Sequence, residues 1–251
     1  MKPPQPWLSL LIGNSHLHWA QFEGDQQIAS WDSPPLQGPS QVPQPPLPLY
    51  FASVVPTQSQ LLRAGYSQQD QQTLIQEITL ATMPLGNLYP SLGIDRALGL
   101  LAAGERWGYP VLVIDGGTAI TLTGADGDRN LIGGAILPGI QLQLESLGLG
   151  TAALPQLDAA TLAPAAKQPQ RWALTTEGAI ASGILHSLAS SLADYVDDWQ
   201  QQYPEGSIVT TGGSGAWIAA QLASRTQAKG AGPVLAHTGI LAWRRQREAA
   251  T

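Results

Sequence analysis

The alternation of apolar and polar positions is clearest in residues 111–139, VLVIDGGTAITLTGADGDRNLIGGAILPG, and it predicts three consecutive β-strands. Val111–Ile114 is a short unbroken apolar run, which is typical of a buried strand. Thr118–Thr123 alternates apolar and hydroxyl side chains, as the return strand of a hairpin does. Leu131–Leu137 forms the third strand pattern, so the stretch as a whole predicts a three-stranded meander.

A carboxylate and two glycines stand at the first turn of this meander. Asp115 ends the apolar run, Gly116 and Gly117 follow it, and Thr118 supplies a hydroxyl group. Glycine lets the backbone turn tightly or approach a ligand closely, and free amides beside a carboxylate suit a phosphate bound together with a cation. A tight hairpin with an acidic tip explains the same residues equally well, so both interpretations stay open at this point.

The same pattern occurs near the start of the chain, where LSLLIGNSHLHW repeats the order of strand, glycine turn and alternating strand. Leu8 falls opposite Leu112, and Gly13 falls opposite Gly117. A repeated hairpin predicts two similar α/β halves with a ligand between their glycine turns. His16 and His18 share one face of the second strand, and packing or a surface position is expected for them rather than metal ligation.

Strand and helix patterns alternate along the remaining chain. The longest helix pattern, residues 177–202, has apolar residues at three- or four-residue spacing and begins at Thr175 and Thr176, which can cap the helix or offer hydroxyls to a ligand. Residues 73–80 fit a helix or a strand, and Ser33–Leu49 is rich in proline and glutamine and predicts an irregular loop. The other predicted elements are strands at 27–31, 49–55 and 208–211 and helices at 58–66, 96–107, 140–147, 216–223 and 237–247.

Composition limits the classes of function. The 251 residues are enough for one large or two small domains, and 43% hydrophobic content supplies a core. The absence of cysteine excludes disulfides, zinc–thiolate sites and a catalytic thiol. The N-terminus resembles neither a signal peptide nor a membrane helix, so we expect a cytoplasmic protein without membrane contact. A net charge of −6 with 12 Lys and Arg argues against binding of nucleic acid.

Two further segments carry candidate chemistry. Asp95 stands at the start of a predicted helix, where the helix dipole stabilises a carboxylate even without a function. The same position also lets its side chain project into a cleft, and Arg96 beside it offers the fork that binds a carboxylate. A strand, a glycine turn at 212–215 and a helix form a weakly specific nucleotide-binding arrangement.

Six short motifs follow one another along the chain. They are Leu11-Ile12-Gly13-Asn14-Ser15, Gly93-Ile94-Asp95-Arg96, Asp115-Gly116-Gly117-Thr118-Ala119, Gly133-Gly134-Ala135-Ile136-Leu137-Pro138-Gly139, Thr175-Thr176-Glu177-Gly178-Ala179-Ile180-Ala181-Ser182-Gly183 and Thr211-Gly212-Gly213. In this order and spacing the chain resembles type III pantothenate kinase, a family of the actin-like ATPase superfamily that also holds sugar kinases, Hsp70 and actin.

The resemblance implies an α/β fold of two RNase H-like domains, residues 1–108 and 109–251, with a cleft between them. It implies phosphorylation of pantothenate by ATP with Mg²⁺, the first step towards coenzyme A. It also implies a homodimer, which the small residues and apolar face of the long helix would favour.

The family's site residues carry over motif by motif. The resemblance makes Asp95 the general base and Asp115 the ligand of a monovalent cation, K⁺ or NH₄⁺. It implies that pantothenate contacts Tyr89, Gly93, Ile94, Arg96 and Thr176. It implies that ATP contacts Gly13, Asn14, Ser15, Thr118, Gly212 and Gly213.

Three positions depart from the family pattern. Leu11 replaces an aspartate that helps to organise Mg²⁺-ATP, Thr175 replaces an asparagine, and Tyr89 lies closer to Gly93 than the family spacing has it. The alternative to a kinase is a non-catalytic regulator or accessory protein that binds nucleotide or pantothenate, and Leu11 favours it. A third possibility, another small-molecule kinase, needs a different acceptor pocket. The retained Asp95 favours the pantothenate kinase, because a decayed site should lose its base first.

Overall fold

The computed structural model describes residues 5–41, 47–67, 74–162, 170–232 and 235–249. Part of the proline-rich loop, residues 42–46, lies outside this range, as does Thr73. The chain folds into two units, one built on residues 1–106, 129–131 and 234–251 and the other on 107–128 and 132–233. No helix in the described segments is long and apolar enough to cross a membrane.

The first unit is a five-stranded sheet with helices. In chain order it holds β1 Pro6–Ile12, β2 Leu17–Glu23, β3 Gln26–Ser33, β4 Leu49–Ser53, α1 Pro56–Ser67, β5 Ile75–Glu77, α2 Ile94–Trp107 and α7 Leu235–Ala249. The strand order is β3-β2-β1-β4-β5, with β1 antiparallel to β2 and parallel to β4. The apolar residues of β1, β2 and β4 form its buried core with Leu62 and Tyr66 of α1.

The second unit repeats this architecture. It holds β6 Val111–Gly116, β7 Ala119–Ala125, β8 Leu131–Pro138, α3 Ile140–Gly150, α4 Ala159–Leu162, α5 Thr176–Gln202, β9 Ser207–Thr211, α6 Gly215–Leu222 and β10 Lys229–Gly230. Its strand order, β8-β7-β6-β9-β10, is that of the first unit with each strand replaced by its counterpart. The predicted repeat and the two RNase H-like sheets are therefore confirmed.

The two hairpins differ by one residue in the turn. In the first unit Ile12 pairs with Leu17, whereas in the second Gly116 pairs with Ile120, so the second turn is one residue shorter. The sequence alignment of the two hairpins holds through the first strand and shifts by one residue in the return strand. Asp115 and Gly116 still belong to β6, so the strand extends two residues beyond the predicted apolar run.

Residues 235–249 belong to the first unit, whereas the sequence assigns everything from 109 onward to a second domain. Contacts with residues distant in the chain attach α7 to this unit. The indole Nε1 of Trp243 donates to the carbonyl oxygen of Thr82 at 2.9 Å, and Gly239 lies against the backbone of Leu98 in α2. Because these contacts join residues that lie far apart in the chain, periodicity within α7 could not predict them.

Candidate active site

The glycine turn of the first unit follows β1. The amide of Gly13 donates to the carbonyl oxygen of His16 at 3.1 Å, which closes the turn. The side chains of Asn14 and Ser15 are exposed at its tip. Both side chains are therefore available to a ligand at the end of the strand, as the phosphate-turn prediction requires.

Asp95 and Gly93 lie very close together at the start of α2. A Cβ atom added to Gly93 would collide with Oδ1 of Asp95, so the carboxylate is folded back over the glycine. Only a glycine permits this approach, which gives the Gly-x-Asp spacing a physical reason. Ile94 is only 6% exposed and packs in the core, so a ligand would meet its backbone rather than its side chain.

The structure brings Tyr89 to Arg96. Nη1 of Arg96 donates to the hydroxyl oxygen of Tyr89 at 3.0 Å, and the Tyr89 ring is exposed. The hydrogen bond fixes the guanidinium group of Arg96, the residue that follows Asp95 in the helix. A carboxylate base and an oriented guanidinium fork thus lie at one helix start, which is suited to a substrate with a hydroxyl and a carboxylate group.

In the second unit, Asp115 lies against the glycine turn at 212–215. Gly212 has φ +81°, a conformation that favours glycine, and a Cβ there would collide with Oδ1 of Asp115. The amide of Ser214 donates to the carbonyl oxygen of Gly116 at 2.8 Å, which ties this turn to the end of β6. The Asp115 carboxylate and the Gly116 carbonyl offer oxygen atoms as ligands, and oxygen is the ligand atom that hard cations prefer.

Within the described residues, no group of three or more histidine, aspartate or glutamate side chains is placed to hold a metal ion. The Asp115 carboxylate and the Gly116 carbonyl both lie against Gly212, so two oxygen atoms of the kind that hard cations bind are close together there.

A backbone hydrogen bond of Thr118 joins its own motif to the motif that ends at Gly139. Its carbonyl oxygen accepts a hydrogen bond from the amide of Gly139 at 2.9 Å, and a Cβ on Gly139 would collide with the carbonyl oxygens of Gly117 and Thr118. The Thr118 side chain is exposed. Gly139 was not predicted as a site residue, although its place at the end of the Pro-Gly motif was a cue to a close backbone contact.

The two threonines before α5 have different surroundings. The hydroxyl oxygen of Thr175 accepts a hydrogen bond from the amide of Gly178 at 3.1 Å, which makes it the N-cap of the helix. Thr176 is the first residue of α5, and its side chain is exposed. Of the two, Thr176 is the better placed to offer a hydroxyl to a ligand.

Comparisons with known proteins agree with these motifs. The family model described as type III pantothenate kinase matches residues 7–198. A type III pantothenate kinase from Synechocystis sp. is 46% identical over 213 residues, covering 84% of this chain and 79% of the relative.

Solved structures show the same fold at low sequence identity. A conserved putative Baf family transcriptional activator from Campylobacter jejuni has a TM-score of 0.66 at 17% identity and covers 96% of this chain and 99% of its own. MreB 5 of Spiroplasma citri has a TM-score of 0.50 at 11% identity and covers 98% of this chain and 96% of its own. These likenesses place the chain in the actin-like ATPase fold, and because the family model covers three quarters of its length, the chain belongs to the type III pantothenate kinase family.

Proposed function

We propose that the chain transfers the γ-phosphoryl group of ATP to the primary hydroxyl of pantothenate, giving 4'-phosphopantothenate and ADP at the first step of coenzyme A synthesis. The observation that carries this proposal is the match of residues 7–198 to the family. The retained arrangement of Gly93, Asp95 and Arg96 at the start of α2 supports it.

Each part of the proposed reaction has a candidate residue. Asp95 accepts the proton of the pantothenate hydroxyl as its oxygen forms a bond to the γ-phosphorus and the bond to the ADP oxygen breaks. Arg96, held by Tyr89, binds the pantothenate carboxylate, and Gly93, Ile94 and Thr176 complete the acceptor site.

ATP binds the glycine turns of the two units. Backbone amides and short polar side chains are suited to phosphate oxygens, and we assign this role to Gly13, Asn14, Ser15, Thr118, Gly212 and Gly213. Asp115 holds K⁺ or NH₄⁺. This ion offsets the negative charge of the phosphates and does not compete with the Mg²⁺ that is bound to ATP.

We also propose that the protein is a cytoplasmic homodimer. Its substrate ATP is made and used in the cytoplasm, and homodimers with two-fold symmetry are the commonest oligomers of enzymes. Exposed apolar side chains of the second unit, among them Trp172 and Leu174, support the dimer because a partner subunit would cover them.

The direct test is ADP release by the purified protein with ATP, Mg²⁺, K⁺ and pantothenate. We expect turnover that depends on pantothenate and is absent with a hexose as the acceptor. Turnover with the hexose but not with pantothenate would indicate another small-molecule kinase. Binding of nucleotide without transfer to either acceptor would contradict the kinase and indicate an accessory protein.

A further inference from the structure

We propose that His18 is a nucleotide-binding residue that donates a hydrogen bond from Nε2 to a phosphate oxygen of ATP at the turn Gly13–Ser15. The inference rests on the proposed function only in taking this turn as a phosphate site. Neither the family motifs nor the repeat assigns a role to this side chain, for which the sequence predicted packing or a surface position.

The first observation is a row of three side chains across the sheet. Leu11 of β1 pairs directly with His18 of β2, and His18 pairs directly with Asp32 of β3. Directly opposite residues in antiparallel strands share a face of the sheet. The row crosses the sheet at the end of β1 from which the glycine turn leaves.

The second observation is that the imidazole is held and directed. Nδ1 of His18 lies 2.7 Å from Oδ1 of Asp32, a short contact that is typical of a charge-assisted hydrogen bond. A carboxylate accepts only from an N–H group, so Nδ1 carries a proton, and Nε2 is the ring atom left for another partner. The side chain of His18 is 29% exposed, so a ligand can reach it.

The third observation is the position of Nε2. A Cβ atom on Gly13 would lie 3.7 Å from Nε2 of His18, so this nitrogen faces the backbone of the turn. A phosphate on the turn therefore comes within the reach of the ring. With a proton on each ring nitrogen, His18 donates from Nε2 to a phosphate oxygen while Nδ1 donates to Asp32.

The residue at position 11 makes phosphate a better partner for His18 than a metal ion. Leu11 lies directly opposite His18 and is uncharged, so it neither competes with Asp32 for the ring nor repels a phosphate. Mg²⁺ takes oxygen ligands in preference to imidazole, so a metal ion is not the expected partner of His18.

Other ionisable groups lie near the ring. His16 lies in the turn with its ring centroid 6.4 Å from that of His18, Asp32 lies on β3, and His237 of α7 interacts electrostatically with both His18 and Asp32. An effect of His18 on nucleotide binding must therefore be separated from the effect of these neighbouring groups.

The test compares His18→Gln with the control His16→Gln, which makes the same substitution in the neighbouring turn, where the side chain is exposed. Binding of AMPPNP is measured by calorimetry with Mg²⁺ and with EDTA. Loss of a charge-assisted hydrogen bond should weaken binding of AMPPNP by His18→Gln about tenfold. His16→Gln should change the affinity less than about twofold. The KM for ATP should rise in His18→Gln while the KM for pantothenate stays the same.

Three results would overturn the proposal. Equal losses in the two variants would mean that net charge alone matters, and a loss seen only with Mg²⁺ would mean that His18 acts through the metal. Unchanged AMPPNP affinity in His18→Gln, with an active wild-type enzyme, would remove His18 and leave the kinase assignment intact. Conversely, if the wild-type protein never phosphorylates pantothenate but His18→Gln still binds AMPPNP about tenfold more weakly than the wild type, the result would support His18 and contradict only the proposed reaction.

Discussion

At the scale of single residues, Asp95 separates a catalyst from a binding protein. Asp95→Asn keeps the shape of the side chain and its position over Gly93, but the amide cannot accept the hydroxyl proton. Loss of general-base catalysis costs about 10²–10⁴-fold in rate. We expect kcat to fall by that factor while calorimetry still detects binding of ATP and pantothenate.

Glu177→Gln is the matched control, because Glu177 is also a carboxylate in the first turn of a helix. Removing a helix-start charge costs about 0.3–1 kcal/mol of stability and has no effect on proton transfer. A near-normal kcat in Asp95→Asn, with a lower melting temperature like that of the control, would reduce Asp95 to a helix-start residue.

Asp115 predicts a dependence on the monovalent cation. With Na⁺ in place of K⁺ we expect a sharp drop in the rate of wild-type enzyme, because a carboxylate with backbone oxygens selects among cations by size and hydration. Asp115→Asn should be slow in both salts. The measurement is initial rate at constant ionic strength, and equal wild-type rates in K⁺ and Na⁺ would take this role away from Asp115.

His237 predicts how stability changes with pH. It is buried beside β1, where its Nδ1 lies 2.7 Å from Oγ of Ser9. Burial, and to a smaller extent the nearby His18, lowers the pKa of His237 to about 4, with Asp32 opposing. Between about pH 6.5 and 4 the unfolded chain therefore binds a proton that the folded chain does not.

The free energy of unfolding should fall as the pH falls through this window, by about 2 kcal/mol between pH 7 and pH 5. Urea unfolding at the two values measures it, in a range where most carboxylates stay ionised. His237→Gln should lose most of this pH dependence whatever its absolute stability. The same slope in the variant and the wild type would contradict the assignment.

At the scale of elements, the sequence predicted the strands of both hairpins because their apolar and glycine positions are local features. It did not predict β10, because two residues carry no periodic pattern. It left residues 73–80 open between a helix and a strand, and the pairing of 75–77 with β4 selects the strand. The approach of Asp115 to Gly212 and of Thr118 to Gly139 likewise depends on segments distant in the chain. The motifs identified these residues, but only the fold shows why each glycine is needed.

The packing of α7 on α2 gives a test at this scale. A Cβ on Gly239 would collide with the carbonyl oxygen of Leu98, so Gly239→Ala must push the two helices apart. Overpacking of this kind costs about 1–3 kcal/mol, and we expect a clearly lower melting temperature.

Gly183→Ala in α5 is the control, because a Cβ there meets nothing within 4 Å. Replacing an exposed helical glycine with alanine stabilises by about 0.4–1 kcal/mol. The two substitutions should therefore shift the melting temperature in opposite directions. A stabilising effect of Gly239→Ala would mean that α7 does not pack this closely on α2.

At the scale of the whole molecule, the long helix is not available to a partner in the way its sequence implies. The apolar face of α5, which the sequence offered to a dimer contact, is buried in the core of its own unit with Ile114, Ile120 and Leu122. A dimer contact near this helix must therefore use other side chains. Trp172 is 87% exposed and Leu174 is fully exposed just before the helix.

A hydrogen bond from α5 fixes the segment 171–174, so its exposed side chains have a defined position for an interface. The hydroxyl of Ser182 in α5 donates to the carbonyl oxygen of Arg171 at 2.8 Å. This bond fixes the backbone next to the exposed Trp172. Ordered apolar side chains at such exposure are unfavourable in water and gain free energy when a partner covers them. We therefore expect the homodimer to bury Trp172 and Leu174.

Sedimentation at micromolar concentration should give twice the mass of the chain for the wild type. Trp172→Glu combined with Leu174→Glu should give the mass of one chain, because two charges cannot be buried without partners. Ile28→Glu, in an exposed position of β3, is the control and should leave the dimer intact. A wild-type monomer would contradict the dimer itself, whereas a dimer in all three proteins would place the interface on another surface of the molecule.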